Sequence, residues 1–241
     1  MEPTSLPWFA GLAAVIAFTH TLLGPDHYLP LAVTARAGRW SLRRTLGVVA
    51  LCGAGHVLSS MVLGAIGIVA GVSIARLEGI ETWRGDLAAW ALLAFGLCYA
   101  AWGLRSAARG AGHSHLHAHS DGTLHVHEHS HGEDHLHAHA GGQPELRVSS
   151  WVLFSIFLLG PCEPLIPILM VPAARGGARQ ALLVAAVFGV ITLVTMMATT
   201  AAVWLGLARL EPRIRPLERW SHGIAGVLVS LSALGVLFLG L

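Results

Sequence analysis

Leu22-Leu23-Gly24-Pro25-Asp26-His27 returns 136 residues later as Leu158-Leu159-Gly160-Pro161-Cys162-Glu163. Each copy ends an apolar run with glycine and proline, then continues into residues that lipid disfavours. Proline lacks a backbone donor and clashes with the preceding turn, so it breaks or kinks a helix. Pro30 follows in the first stretch, and Pro164 and Pro167 in the second. The two stretches stay in register without a gap from Leu22 to Met61 against Leu158 to Met197. Arg39 lies over Arg175, Arg43 over Arg179, Gly53 over Gly189, His56 over Thr192 and Ser59 over Thr195. Trp83 and Trp220 correspond with a shift of one. Coincident Leu and Gly are expected in so biased a sequence, but a shared Leu-Leu-Gly-Pro at the same place is not.

The surroundings of these motifs are lipid-like. Of 241 residues, 54% are hydrophobic and 12% charged, against roughly a quarter charged in soluble domains. About 20 consecutive apolar residues cross a bilayer core, and blocks of that kind lie near 8–35, 45–75, 87–104, 150–174, 180–208 and 221–241. The expected fold is therefore an all-α membrane protein of six spans. Residues 1–104 would form a first three-span repeat, 105–149 a cytoplasmic loop and 150–241 a second repeat. Three spans per repeat is an odd number, so the halves would insert upside down relative to each other, with Pro-broken first helices facing one another near the midplane. Met1-Glu2-Pro3-Thr4 lacks the positive start of a secretory signal peptide. Eleven of the 15 arginines fall in the loops after the first, third and fifth spans, and four (Arg76, Arg84, Arg175, Arg179) in the other two. The positive-inside rule then places both termini outside and the 105–149 loop in the cytoplasm, as in a bacterial inner membrane.

Charge and motif content exclude several classes. A net charge of +2 with no basic stripe argues against nucleic acid. There is no lysine, hence no phosphate-binding Gly-x-x-x-x-Gly-Lys loop, and no catalytic constellation, so the chain does not read as an enzyme. Cys52, Cys98 and Cys162 all fall in apolar blocks and form no disulfide framework. Cys52 and Cys98 read as small buried hydrophobes.

Within the predicted spans the acidic residues are Asp26 and Glu163, one beside each break. A charge at the bilayer centre costs about 2.5–3.5 kcal/mol on insertion scales, which marks such residues as functional candidates. His20, His27 and His56 join them. On a continuous helix His20 and His27, seven apart, share a face. Imidazole with carboxylate suits nickel, cobalt, zinc or iron(II). The expected lining is Asp26, His27 and His56 from the first half, with Glu163, Thr192 and Cys162 facing them from the second.

His20-Thr21-Leu22-Leu23-Gly24-Pro25-Asp26-His27 followed by Gly53-Ala54-Gly55-His56-Val57-Leu58-Ser59-Ser60 resembles the nickel–cobalt permeases and the related urease-accessory membrane proteins. The resemblance covers mainly the first two spans and implies that His20, Asp26, His27 and His56 contribute to an ion pathway. Five residues separate His20 from Asp26 where the permease motif has four, which on an unbroken helix rotates His20 by about 100°. Gly160-Pro161-Cys162 resembles the membrane thiol–disulfide electron carriers of cytochrome biogenesis, although Asp26 stands where their first cysteine would be. Cys162 reads equally as a soft ligand, a redox thiol or a packed thiol.

Between the halves, His113, His115, His117, His119, His125, His127, His129, His131, His135, His137 and His139 alternate with small and acidic residues. Such a segment lacks the apolar area to order itself without metal, and histidine-rich tracts bind metals by composition. Nickel–cobalt efflux proteins carry a similar loop, which favours export. The expected function is secondary transport of a divalent nickel, cobalt or zinc ion as substrate, with no tightly bound cofactor and the bilayer as partner. A homo-oligomer is compatible with it. A thiol–disulfide carrier using Cys162 and a non-transporting metal-delivery accessory are the alternatives.

Overall fold

A computed structural model describes residues 6–109, 113–118, 124–129 and 145–239, without the side chains of 113–149, 175–176 and 211–216. Helix α1 (Leu6–Leu23) carries no charged residue before it stops at the first Gly-Pro. Gly24 closes it by donating to the His20 carbonyl at 3.0 Å. A single 3-10 turn, Pro25–His27, follows, and then α2 (Leu29–Ala37) with Pro30 in its first turn, where a missing N–H does no harm. Helix α3 (Leu42–Val69) begins at Ser41, whose hydroxyl accepts from the Arg44 N–H at 3.3 Å, a standard N-cap. Helix α4 (Ile74–Ala108) follows directly.

The second stretch repeats this order. Helix α5 (Glu145–Leu159) stops at the second Gly-Pro, and α6 (Leu165–Ile214) starts beyond it. Gly177, at φ 77°, interrupts α6; a positive φ there costs glycine little. A 3-10 segment (Arg215–Trp220) leads into α7 (Ser221–Leu239).

Five helical segments are long and apolar enough to cross a membrane: Leu6–Leu23, Leu42–Val69, Ile74–Ala108, Gly177–Leu210 and Leu217–Leu239. They mark the chain as an integral membrane protein. The segment 150–174, expected to be one span, is instead two short apolar helices, Ser150–Leu159 and Leu165–Ala174, because the proline at 161 has no N–H to carry the ladder across. Residues 8–35 are likewise divided among α1, the 3-10 turn and α2. Leu12, Val15, Phe18, Val62, Ile66, Val190 and Val194 are exposed, an apolar exterior suited to lipid and out of place in water.

Two apolar clusters fill the interior. One joins α2, α3, α4, α5, α6 and α7 around Leu31, Val49, Leu92, Leu153, Met196 and Val229. The other joins α1 and α6 around Phe9, Leu165, Val184 and Phe188. Cys52 lies in the first and Cys162 in the second, whereas Cys98, expected inside, is exposed on α4. The closest helix pair is α4 with α7. A methyl on Gly226 would stand 2.2 Å from the Ala100 nitrogen, and one on Gly103 would stand 2.4 Å from the Gly223 nitrogen. Small residues permit this approach, and dispersion between closely packed backbones holds helices together in lipid.

Between α4 and α5 the described residues include two short strands. Strands β1 (His113–Ala118) and β2 (Leu124–His129) pair antiparallel with His113 opposite His129, His115 opposite His127 and His117 opposite His125. Histidine at every second position has the period of a strand. His119, His131, His135, His137 and His139 lie outside the described residues.

Candidate metal centre

The first break gathers three histidines from three elements. His20 sits in the last turn of α1, His27 ends the 3-10 turn, and His56 stands halfway along α3. One ligand nitrogen of each lies within 4.8 Å of the other two. The His20 and His27 rings meet edge to face with centroids 4.8 Å apart, and the His27 and His56 rings at 5.2 Å. His27 and His56 are buried and His20 is half-buried.

Hydrogen bonding fixes which ring nitrogen is available. His27 Nδ1 lies 3.0 Å from Asp26 Oδ1 and 3.3 Å from the Gly24 carbonyl. The Gly24 carbonyl and an ionised Asp26 only accept, so Nδ1 carries a proton and, in the neutral ring, Nε2 keeps its lone pair. His56 Nδ1 and the Phe157 carbonyl both lie 3.2 Å from where a methyl on Gly160 would stand. The Nε2 atoms of His20, His27 and His56 are all buried without a partner. Leaving one buried polar atom unpaired costs about 1–3 kcal/mol. Three such atoms side by side are what a site for a Lewis-acidic cation requires. A carboxylate on the far nitrogen of a histidine ligand is a recurring outer-shell arrangement that raises ligand basicity.

The remaining candidates are distributed differently from the expectation. Asp26 holds His27 and is not itself one of the three clustered ligands. Cys162 is fully buried in the α1–α6 apolar cluster, and Glu163 is exposed; neither joins the group. Thr192 is fully buried with an unpartnered hydroxyl. It lies on the side of α6 that packs against α3, as shown by the neighbours of Gly53 and Gly189. Because α1 ends at Leu23 and a 3-10 turn follows, no single helical phase relates His20 to Asp26 and His27.

The sequence reading missed Glu81 and Arg84. Arg84 was counted with a loop, and Glu81 was not counted as intramembrane. Both lie within α4, which starts thirteen residues before the predicted 87. Glu81 is 0% exposed and paired with Arg84. The signal was present: their i,i+3 spacing suits an ion pair on one helix face, and Leu77, one turn earlier on that face, is buried as well.

Comparison with known proteins returned no matching family model, no matching curated protein and no matching solved structure.

Proposed function

We propose that the chain is a secondary transporter of a divalent transition-metal ion of the nickel–cobalt class, exporting it across a bacterial inner membrane. The observation that carries this reading is the trio of unpartnered Nε2 atoms buried at a break between helices. Imidazole is a ligand for nickel, zinc, copper and iron, and the motif resemblance of the first two spans adds nickel and cobalt. Neighbouring ligands of a tetrahedral ion with bonds of about 2.0–2.1 Å stand about 3.3 Å apart. A ligand nitrogen of each histidine stands within 4.8 Å of the other two, so binding such an ion would draw them closer together.

On this reading Ser150–Leu159 and Leu165–Ala174 together form the sixth crossing, since some twenty helical residues rise about 30 Å. The recurrence of helix, break, short helix and two long helices supports two inverted halves. The arginine distribution, with Arg84 removed from the loops, still supports termini outside and the histidine loop in the cytoplasm, where it would collect ions for export. The thiol-carrier reading has weaker support, because Cys52 and Cys162 lie in separate clusters and all three cysteines are free.

The test is uptake of nickel, cobalt and zinc into liposomes holding the purified protein. Metal-dependent flux that disappears in His27→Ala, with the variant still inserted and folded, is the expected result. Normal flux in His27→Ala would overturn the site.

A further inference from the structure

We propose that the buried Glu81–Arg84 pair is the positioning element of the imidazole site and acts through the second chain break; this rests on the metal reading above. Glu81 Oε2 accepts from the Ser60 hydroxyl at 2.9 Å and from the Cys162 N–H at 3.0 Å, while Oε1 pairs with Arg84. Arg84 Nη2 donates to the Ser59 hydroxyl at 2.9 Å and to the Leu158 carbonyl at 3.1 Å.

These two backbone groups are not arbitrary. Helix α5 ends at Leu159, so the Leu158 carbonyl belongs to the last turn, which has no intrahelical donors. Cys162 supplies the first N–H beyond Pro161. The guanidinium therefore sits at the negative end of one helix fragment, and the carboxylate lies at the donor that opens the next, the signs the helix dipoles favour. In lipid no water can replace either partner. Gly85 brings α4 directly onto the break, since a methyl there would stand 2.8 Å from Pro161 Cγ.

Two short routes connect this cap to His56. A methyl on Gly160 would stand 3.2 Å from both His56 Nδ1 and the Phe157 carbonyl, so the break packs directly against the His56 ring. The Ser59 hydroxyl, held by Arg84, donates to the His56 carbonyl at 2.9 Å. The pair does not touch the ion; it fixes the wall behind one of its ligands. At the first break the carbonyl equivalent to Leu158, that of Leu22, is approached by the Tyr28 hydroxyl at 3.5 Å, while Asp26 pairs with His27, so no Glu–Arg pair closes it.

The experiment is cobalt uptake into liposomes by the full chain, comparing wild type, Glu81→Gln, Arg84→Lys, Gly160→Ala and His27→Ala, with circular dichroism and gel filtration to check the fold. Outer-shell partners of metal ligands are worth tenfold to a hundredfold in affinity. Glu81→Gln and Gly160→Ala should raise the cobalt KM by about tenfold or more while keeping measurable maximal flux. Arg84→Lys, which retains the cation, should raise it less than Glu81→Gln. If Glu81→Gln does not fold, Gly160→Ala carries the test, since it adds one methyl and unpairs no charge. Wild-type KM in the folded variants, with flux still lost in His27→Ala, overturns the positioning role alone. Absence of cobalt flux in wild type overturns the metal reading and this proposal with it.

Discussion

Replacing Asp26 by asparagine separates an orienting carboxylate from a ligating one. Asp26 Oδ1 lies 3.0 Å from His27 Nδ1, so its charge stands about 7 Å from an ion held on the opposite nitrogen, allowing about 2.1 Å for the metal–nitrogen bond. At an effective dielectric of about 20 two unit charges at that distance interact by about 2.4 kcal/mol. Asp26 is 28% exposed, so solvent screening moves the figure toward the lower part of the tenfold to hundredfold range of outer-shell substitutions, roughly 1.4–2.7 kcal/mol. The amide keeps the shape and one acceptor oxygen, replaces the other with an NH2 donor, and loses the charge. The assay is the cobalt KM in liposomes for wild type, Asp26→Asn and His27→Ala side by side. Asp26→Asn should transport with a KM raised about tenfold, and His27→Ala should not transport measurably. A KM within twofold of wild type would refute the orienting role. Loss as complete as in His27→Ala would show that the carboxylate is itself a ligand.

Two further outcomes follow from the packing and the loop. Gly226→Ala forces a methyl into α4, 2.2 Å from the Ala100 nitrogen, and overpacking of this kind costs about 1–3 kcal/mol; its melting temperature in detergent should fall. Gly206→Ala, which meets nothing within 4 Å, should match or exceed wild type, because alanine is the better helix former by about 1 kcal/mol. Deleting residues 110–144 should lower ion flux without abolishing it, as measured in the same liposomes; complete loss would favour an accessory that only delivers metal.

The breaks were legible because proline chemistry is local. Gly24-Pro25 and Gly160-Pro161 stop their helices for a reason contained in two residues. The gathering of His20, His27 and His56 was legible for a related reason, since few polar residues are tolerated at that depth and those present tend to find one another. Their geometry was not. Whether His20 faces its partners depends on how the 3-10 turn resets the helix phase, and no periodicity argument crosses such a turn. Glu81 and Arg84 were missed because average hydropathy treats two opposite charges as two penalties, whereas a pair that also caps a broken helix is stable inside. Glu163 was assigned inward on its neighbours' evidence, but in the short turn after Pro161 it is the Cys162 side chain that points into the core, leaving Glu163 outside.

The seam between α4 and α7 bears on how such a molecule can move. Gly96, Gly103, Gly223 and Gly226 bring the two helices into close contact, main chain against main chain in places and against the side chains of Ser230 and Leu104 in others. On the transport reading proposed above, this closely packed pair would stay fixed, and exposing the imidazole trio first to one side of the bilayer and then to the other would fall to the elements hinged at glycine and proline. Those are α1 with its 3-10 turn, and the short segment of α6 between Pro161 and Gly177.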